Sequence, residues 1–153
     1  MTANEDLIHT FYGSFSKRDA AGMNACYHPD VTFSDPVFGT LHGDRAKAMW
    51  QMLCARGTDL KIEYSKVWAA GDRGGAHWDA SYVFNSREVL NRIDATFVFR
   101  DGAIVRHDDD FDLRGWAGQA LGLPGKVLGG TPFFRRKIRA TALKGLDAYL
   151  SRR

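Results

Sequence analysis

Five side chains fall at spacings that suit proton transfer. His77 and Asp79 are two residues apart, and so are His107 and Asp109 in His107-Asp108-Asp109-Asp110-Phe111-Asp112. Residues two apart on a strand share a face, so each histidine would stand beside its aspartate. Asp35 adds a third carboxyl in Ser34-Asp35-Pro36-Val37-Phe38-Gly39. Two carboxyl groups with separated pKa values can shift a proton or hydrolyse an epoxide without metal or cofactor. One desolvated by Phe97, Phe99 and Trp50 would be raised and act as an acid. One paired with His77 would stay ionised as a base.

The elements that must hold these groups follow from periodicity. Leu7, Ile8, Phe11, Tyr12 and Phe15 form a helical stripe over 5–17, behind acidic residues suited to a helix N-terminus. A short helix at about 20–27 turns Met23, Cys26 and Tyr27 inward and ends at His28-Pro29-Asp30. Residues 31–39 are extended and carry Pro36, so they form an edge strand or a strand followed by a turn. A third helix runs from Gly43-Asp44 to about 56, with Ala46, Met49, Trp50, Met52 and Leu53 on one side. From Asp59 the period becomes two, and Gly71-Asp72-Arg73-Gly74-Gly75 makes a turn. Strands follow at 77–84, 89–100 and 103–112, the last two joined by the hairpin signal Asp101-Gly102. Three helices and then a four-stranded antiparallel meander give an α+β domain with helices on one face of a curved sheet. After a short helical patch at 114–121, glycines 122, 125, 129 and 130 mark a loop. A last helix spans Thr131 to Arg153, with Phe134, Ile138, Ala142, Leu146 and Tyr149 on one side.

If the faces carrying His77 and Asp79, His107 and Asp109, and Phe97 and Phe99 line the concave side, an aromatic cavity holds both aspartates and both histidines. Their backbones would lie about 9.6 Å apart, two strand spacings, with small Ala95 between them. Other readings stand beside this one. Asp35 before Pro36 suits a turn whose side chain bonds backbone, Asp109 suits a structural ion pair with His77, and Asp108, Asp110 and Asp112 suit a solvated outer face. A divalent metal is the minor reading, because no two-His-one-carboxylate spacing stands out. Trp78, Tyr82 and Phe84 lie on the face opposite Asp79, where a covering helix or, by preference, a dimer interface would bury them.

Composition excludes several classes. With 153 residues, 44% hydrophobic and 25% charged, the chain is neither disordered nor collagen-like. Acids precede the first apolar stretch, which is not a secretory signal. Cys26 and Cys54 have neither disulfide-framework nor metal-ligand spacing and suit a reduced, cytoplasmic protein. The net charge of +3 divides into −4 over residues 1–125 and +7 beyond, so the basic character belongs to the tail and no nucleic-acid-binding domain is indicated. Contact of the C-terminal helix with a membrane surface is possible but is the lesser reading.

This layout, with Asp30-Val31-Thr32-Phe33-Ser34-Asp35-Pro36-Val37-Phe38-Gly39, the Asp101-Gly102 hairpin and residues 104–113, resembles the nuclear transport factor 2-like superfamily over about residues 5–122. The resemblance implies a cone-shaped α+β fold with a pocket between sheet and helices. Ser34 to Gly39 is similar to the ketosteroid isomerase motif ending Asp-Pro-Val-Gly, which would make Asp35 the base. The tyrosine and acid of that enzyme's oxyanion hole fall on Phe11 and Ala95, with Tyr12 and Asp94 adjacent. Residues 107–113 are similar to limonene epoxide hydrolase's Trp-Arg-Asp-Tyr-Phe-Asp-Leu, which puts the catalytic carboxylate at Asp109. Its Arg-x-Asp matches His77-Trp78-Asp79 if one residue is deleted near Ser86-Arg87, its asparagine matches Asp35 and its tyrosine Phe33. SnoaL-like polyketide cyclases place an aspartate similarly, and His107-x-Asp109 fits.

The expectation is therefore a cone at 1–122 and a glycine-rich loop with a basic amphipathic helix at 123–153. It would be a homodimer with cofactor-independent acid/base chemistry on a small hydrophobic substrate, epoxide-hydrolase-like or isomerase/cyclase-like. Asp109 would be the base, Asp79 the acid, His77 the orienting link and Asp35 a second polar contact, with no metal or cofactor. Phe11, Phe33, Trp50, Phe97, Phe99 and His107 would line the pocket. The alternative is a non-catalytic binding or interaction module of the same fold, which a C-terminal helix plugging the pocket would favour.

Overall fold

The structure, a computed structural model, describes residues 2–152. Met1 and Arg153, at the ends of the two segments considered above, lie outside the described residues. The element order is α1 (Ala3–Ser16), α2 (Ala20–Asn24), β1 (Tyr27–Asp35), β2 (Gly39–His42), α3 (Asp44–Arg56), β3 (Lys61–Ala70), β4 (Arg73–Phe84), β5 (Arg87–Arg100), β6 (Ala103–Asp110), α4 (Leu113–Leu121), α5 (Leu123–Leu128) and α6 (Pro132–Ser151).

Local chemistry sets the helix ends. The Thr2 hydroxyl accepts the Glu5 amide at 3.1 Å, and Asp19 accepts the Gly22 amide at 3.0 Å. Each cap satisfies an otherwise orphaned donor. Helix α1 buries Ile8, Phe11, Tyr12 and Phe15, and α3 buries Met49, Trp50 and Met52. These two helices fill the concave side of one six-stranded sheet ordered β2-β1-β6-β5-β4-β3. Burial of such large rings stabilises the fold by about 2–3 kcal/mol each.

Two hairpins fix the register. Asn85 and Ser86 (φ 49° and 65°) join β4 to β5, and Asp101 and Gly102 (φ 54° and 75°) join β5 to β6. Positive φ at both positions is what a two-residue turn matching the strand twist demands. Register shifts interrupt β1–β6, β3–β4 and β5–β6. Such bulges bend strands, and here they curl the sheet around its helices.

One alternative is settled and two expectations change. Segment 31–39 is not an edge: β1 lies between β2 and β6, parallel to β6, and Pro36 falls in the turn beyond it, so the strand-then-turn alternative holds. His28-Pro29-Asp30 does not end a helix but belongs to β1. Its proline sits where the β1–β6 pairing skips from Tyr27 to Thr32 and no ladder donor is required. The expected glycine loop contains α5, which packs closely on α4 because Gly125 lies against the Ala117 backbone.

Helix α6 is capped by Thr131, whose hydroxyl accepts the Phe134 amide at 3.2 Å. It docks on α3: Leu146 is fully buried, Ala142, Leu143, Tyr149 and Leu150 pack around the core, and Arg45 pairs with Asp147 at 2.6 Å. None of the described helices is long and apolar enough to cross a membrane.

Candidate active site

Strand β6 carries His107 and Asp109 on its concave face, and the two meet at 2.8 Å from Nε2 to Oδ1. His107 is 0% exposed and Asp109 6%. An imidazole sealed from water needs partners for both nitrogens, or each orphan costs about 1–3 kcal/mol. The second partner is the Tyr27 hydroxyl, 2.8 Å from Nδ1. That oxygen in turn accepts from Trp50 Nε1 at 2.7 Å.

Donor chemistry gives this chain a direction. An indole N–H only donates, so Tyr27 accepts from Trp50 and has its own O–H to give to His107 Nδ1. His107 then carries its proton on Nε2 and donates it to Asp109. Burial pushes the Tyr27 phenol well above its ordinary pKa, so the donor stays protonated. Trp78 Nε1 also donates to Asp109 Oδ1, at 3.3 Å. One carboxylate oxygen thus holds two N–H donors. The other, Oδ2, has no protein partner among the described residues and is open to the pocket that Asp109 lines.

Asp35 has the same division of labour. Its Oδ1 accepts the Val37 and Phe38 amides at 2.9 and 2.6 Å, an Asx-type turn that lets β1 reverse into β2. Its Oδ2 has no protein partner among the described residues, and the residue lines the same pocket as Asp109. The pairing Phe33↔His107 in parallel strands brings Asp35 level with Asp109. Burial, opposed by the Phe38 amide and reinforced by the Asp109 charge, pushes Asp35 up to about 7.

The pocket has a volume of about 410 Å3, within the range of small-molecule sites. Its wall is mostly apolar, including Phe15, Phe38, Leu53, Ile93, Phe111 and Trp116. Asn91, 8% exposed, adds an amide with no protein partner among the described residues. A larger surface cleft of about 820 Å3 lies between the β4–β5 turn and α4, away from Asp35 and Asp109. It has no buried aromatic wall.

Of the side chains expected to line the pocket, Trp50 does so. Phe11, Phe33, Phe97, Phe99 and His107 lie one layer deeper, packed against one another: Phe97 and His107 have ring centroids 4.6 Å apart, Phe33 and His107 5.1 Å. The correction has a simple cause: the aromatic face is thick enough to fill the narrow end of the cone, and the pocket occupies only the wide end.

His77 and Asp79 do not join Asp109. The two-residue Asn85-Ser86 turn pairs His77 with Asp94 and Ala76 with Ala95, so Ala76, Trp78 and Ala80 point inward and His77 and Asp79 outward. There His77 bridges Asp94 and Asp79, each at 2.8 Å, and the bonds to these two carboxylates raise its pKa. Trp78, Tyr82 and Phe84 line the pocket instead of an outer apolar face, which removes the observation that pointed to a dimer interface there.

Tyr12 and Asp94, the neighbours of the family's oxyanion positions, are also apart from the pocket. Tyr12 is buried against Tyr64 at 5.1 Å with its hydroxyl unpartnered among the described residues, and Asp94 is exposed. Tyr27, Trp78 and Asn91 are site residues that the sequence reading passed over. Trp78 was detectable from the apolar alternation Ala76-Trp78-Ala80-Tyr82. Tyr27 stays hidden because the pattern over 20–27 suits a helix, whereas Tyr27 opens β1. Among the described residues no group of three His, Cys, Asp or Glu could hold a metal ion.

Comparison with known proteins agrees with this fold. A family model, the SnoaL-like domain, matches residues 8–107. The fold is similar to TerC co-crystallised with polyporic acid (20% identity, TM-score 0.68, 78% of this chain and 98% of that one). It is similar to an NTF2-like protein of unknown function from Burkholderia pseudomallei (20%, TM-score 0.69, 79% and 99%). It is also similar to an LEH-like epoxide hydrolase from M. tuberculosis (17%, TM-score 0.65, 82% and 93%). No curated protein matches the sequence.

Proposed function

From the premise that this chain belongs to the SnoaL-like domain family, we propose that it is an acid/base enzyme acting on a small hydrophobic molecule, with Asp109 as base and Asp35 as acid. One observation carries the proposal: each carboxyl has one oxygen tied to the fold and one open to the same apolar pocket. With its pKa raised to about 7, Asp35 can hold a proton near neutrality.

Asp109 Oδ2 takes a proton from water or from a carbon acid, while Asp35 gives its proton to the developing alkoxide or enolate oxygen. After an epoxide opens, hydroxide has added to carbon and the ring oxygen is a hydroxyl. Asp109 is then protonated and Asp35 ionised, and return of one proton between them resets the site. Asn91 offers its amide N–H to the same oxygen. The Trp50–Tyr27–His107 chain supplies no proton. It fixes the imidazole so that Nε2–H faces Asp109. The likeness to an epoxide hydrolase supports the hydrolase form of this reading, and no residue of α6 lines the pocket, so the entrance is unplugged.

The test is a turnover screen on terpene and fatty epoxides and on Δ5-ketosteroids with wild type, Asp109→Asn and Asp35→Asn. A loss of about 10² or more in kcat/KM for Asp109→Asn is expected of a general base. Turnover unchanged in both variants, or no turnover of any substrate by wild type, overturns the reading.

A further inference from the structure

The pocket is chemically polarised. Its deep end holds Asp35 and Asp109, and among its lining residues the sole cation is Arg56, exposed at its outer end. Arg56 stands six residues beyond Trp50 on α3, about 9 Å along the helix axis. No carboxylate lies within ion-pairing distance of its guanidinium among the described residues. Asp59, the other charged residue at the mouth, is engaged by the Val83 amide at 2.7 Å.

The guanidinium is also held in place. Its Cζ lies 6.0 Å from the centre of the Tyr149 ring, and Gly145 leaves the adjacent space on α6 open. A base in the last turn of a helix complements the helix dipole, which lysine would do equally well. Stacking on an aromatic ring orients a planar fork, and only arginine presents one. Tyr149 belongs to α6, so that helix positions a side chain at the pocket mouth without itself lining the pocket.

We propose that the pocket takes an amphipathic ligand, an apolar body carrying a terminal oxyanion, which enters apolar end first and leaves its anion on Arg56. The apolar wall cannot solvate an anion and the inner end offers carboxyl groups and no cation, so the charge stays at the entrance. A guanidinium binds carboxylate or phosphate through two parallel N–H bonds, and Tyr149 is the positioning residue. The proposal rests on the pocket assigned above and not on its chemistry, so binding tests it independently of turnover.

The probes are decanoate, decyl phosphate and 1-decanol, titrated by the fluorescence of Trp50, Trp78 and Trp116. Wild type should bind both anions more tightly than the alcohol. Arg56→Gln should weaken the anions about tenfold, the order of a charge-assisted bond partly exposed to water, and leave the alcohol unchanged. Arg56→Lys should recover only part of that loss, and Tyr149→Ala should weaken the anions about two- to threefold. Asp109→Asn should abolish turnover without lowering decanoate affinity, which separates failure of the chemistry from failure of the ligand class. Equal binding of alcohol and anions by wild type, or equal losses for both in Arg56→Gln, overturns the proposal. So does decanoate that tightens in Asp109→Asn while ignoring Arg56→Gln, because the anion would then lie at the deep end.

Discussion

Replacing Asp35 by Asn isolates the electrostatic cost of the proposed acid. Asparagine keeps a carbonyl oxygen for the Val37 and Phe38 amides, so the turn survives and only the titration is lost. The Asp35 pKa rises from 3.8 to about 7, mainly through burial. At 1.36 kcal/mol per unit, about three units correspond to about 4 kcal/mol, an upper value because the free oxygen meets water in the pocket. A raised carboxyl binds its proton more tightly folded than unfolded. Its contribution is therefore fully present below about pH 4 and is lost as pH rises through about 7. Urea unfolding followed by tryptophan fluorescence from pH 4 to 8.5 should show wild type losing up to about 4 kcal/mol relative to Asp35→Asn, with the gap opening between pH 4 and 7. Turnover should fall above about pH 7 as the acid loses its proton, and Asp35→Asn should lack that limb. Parallel stability curves for the two proteins would mean that Asp35 is ionised at neutrality, and the acid role would fail with it.

Tyr27→Phe removes the donor that fixes the His107 tautomer and leaves Nδ1 unpaired. The expected result is a kcat about 10 to 100 times lower at similar KM, with a stability loss of about 1–3 kcal/mol. Steady-state kinetics and urea unfolding check it. His77→Ala and Asp79→Asn act on the outer face, so turnover should stay within twofold of wild type, and stability within about 1 kcal/mol. A large kinetic loss in either would restore the two residues to the mechanism. Leu146→Ala leaves a cavity where α6 meets α3 and should cost about 2–5 kcal/mol by thermal or urea unfolding.

The sequence by itself determined most of the elements and one half of the candidate site. Helical stripes such as Ile8, Phe11, Tyr12 and Phe15 and the Asp101-Gly102 hairpin are local patterns, and local patterns survive folding because backbone geometry sets their period. Asp35 and Asp109 were legible because each sits in a motif whose residues are neighbours in the chain. Which face of β4 turned inward was not settled by any motif. His77 and Asp79 carried the chemistry, but Ala76, Trp78 and Ala80 carried the apolar area, and apolar area decides parity when a sheet closes on a core. Tertiary structure alone decided the rest. Tyr27 and His107 are 80 residues apart, and they meet because β1 lies beside β6. Arg56 reaches Tyr149 because α6 folds back on α3. Contacts of that range depend on strand order, register and packing, which no window of sequence contains.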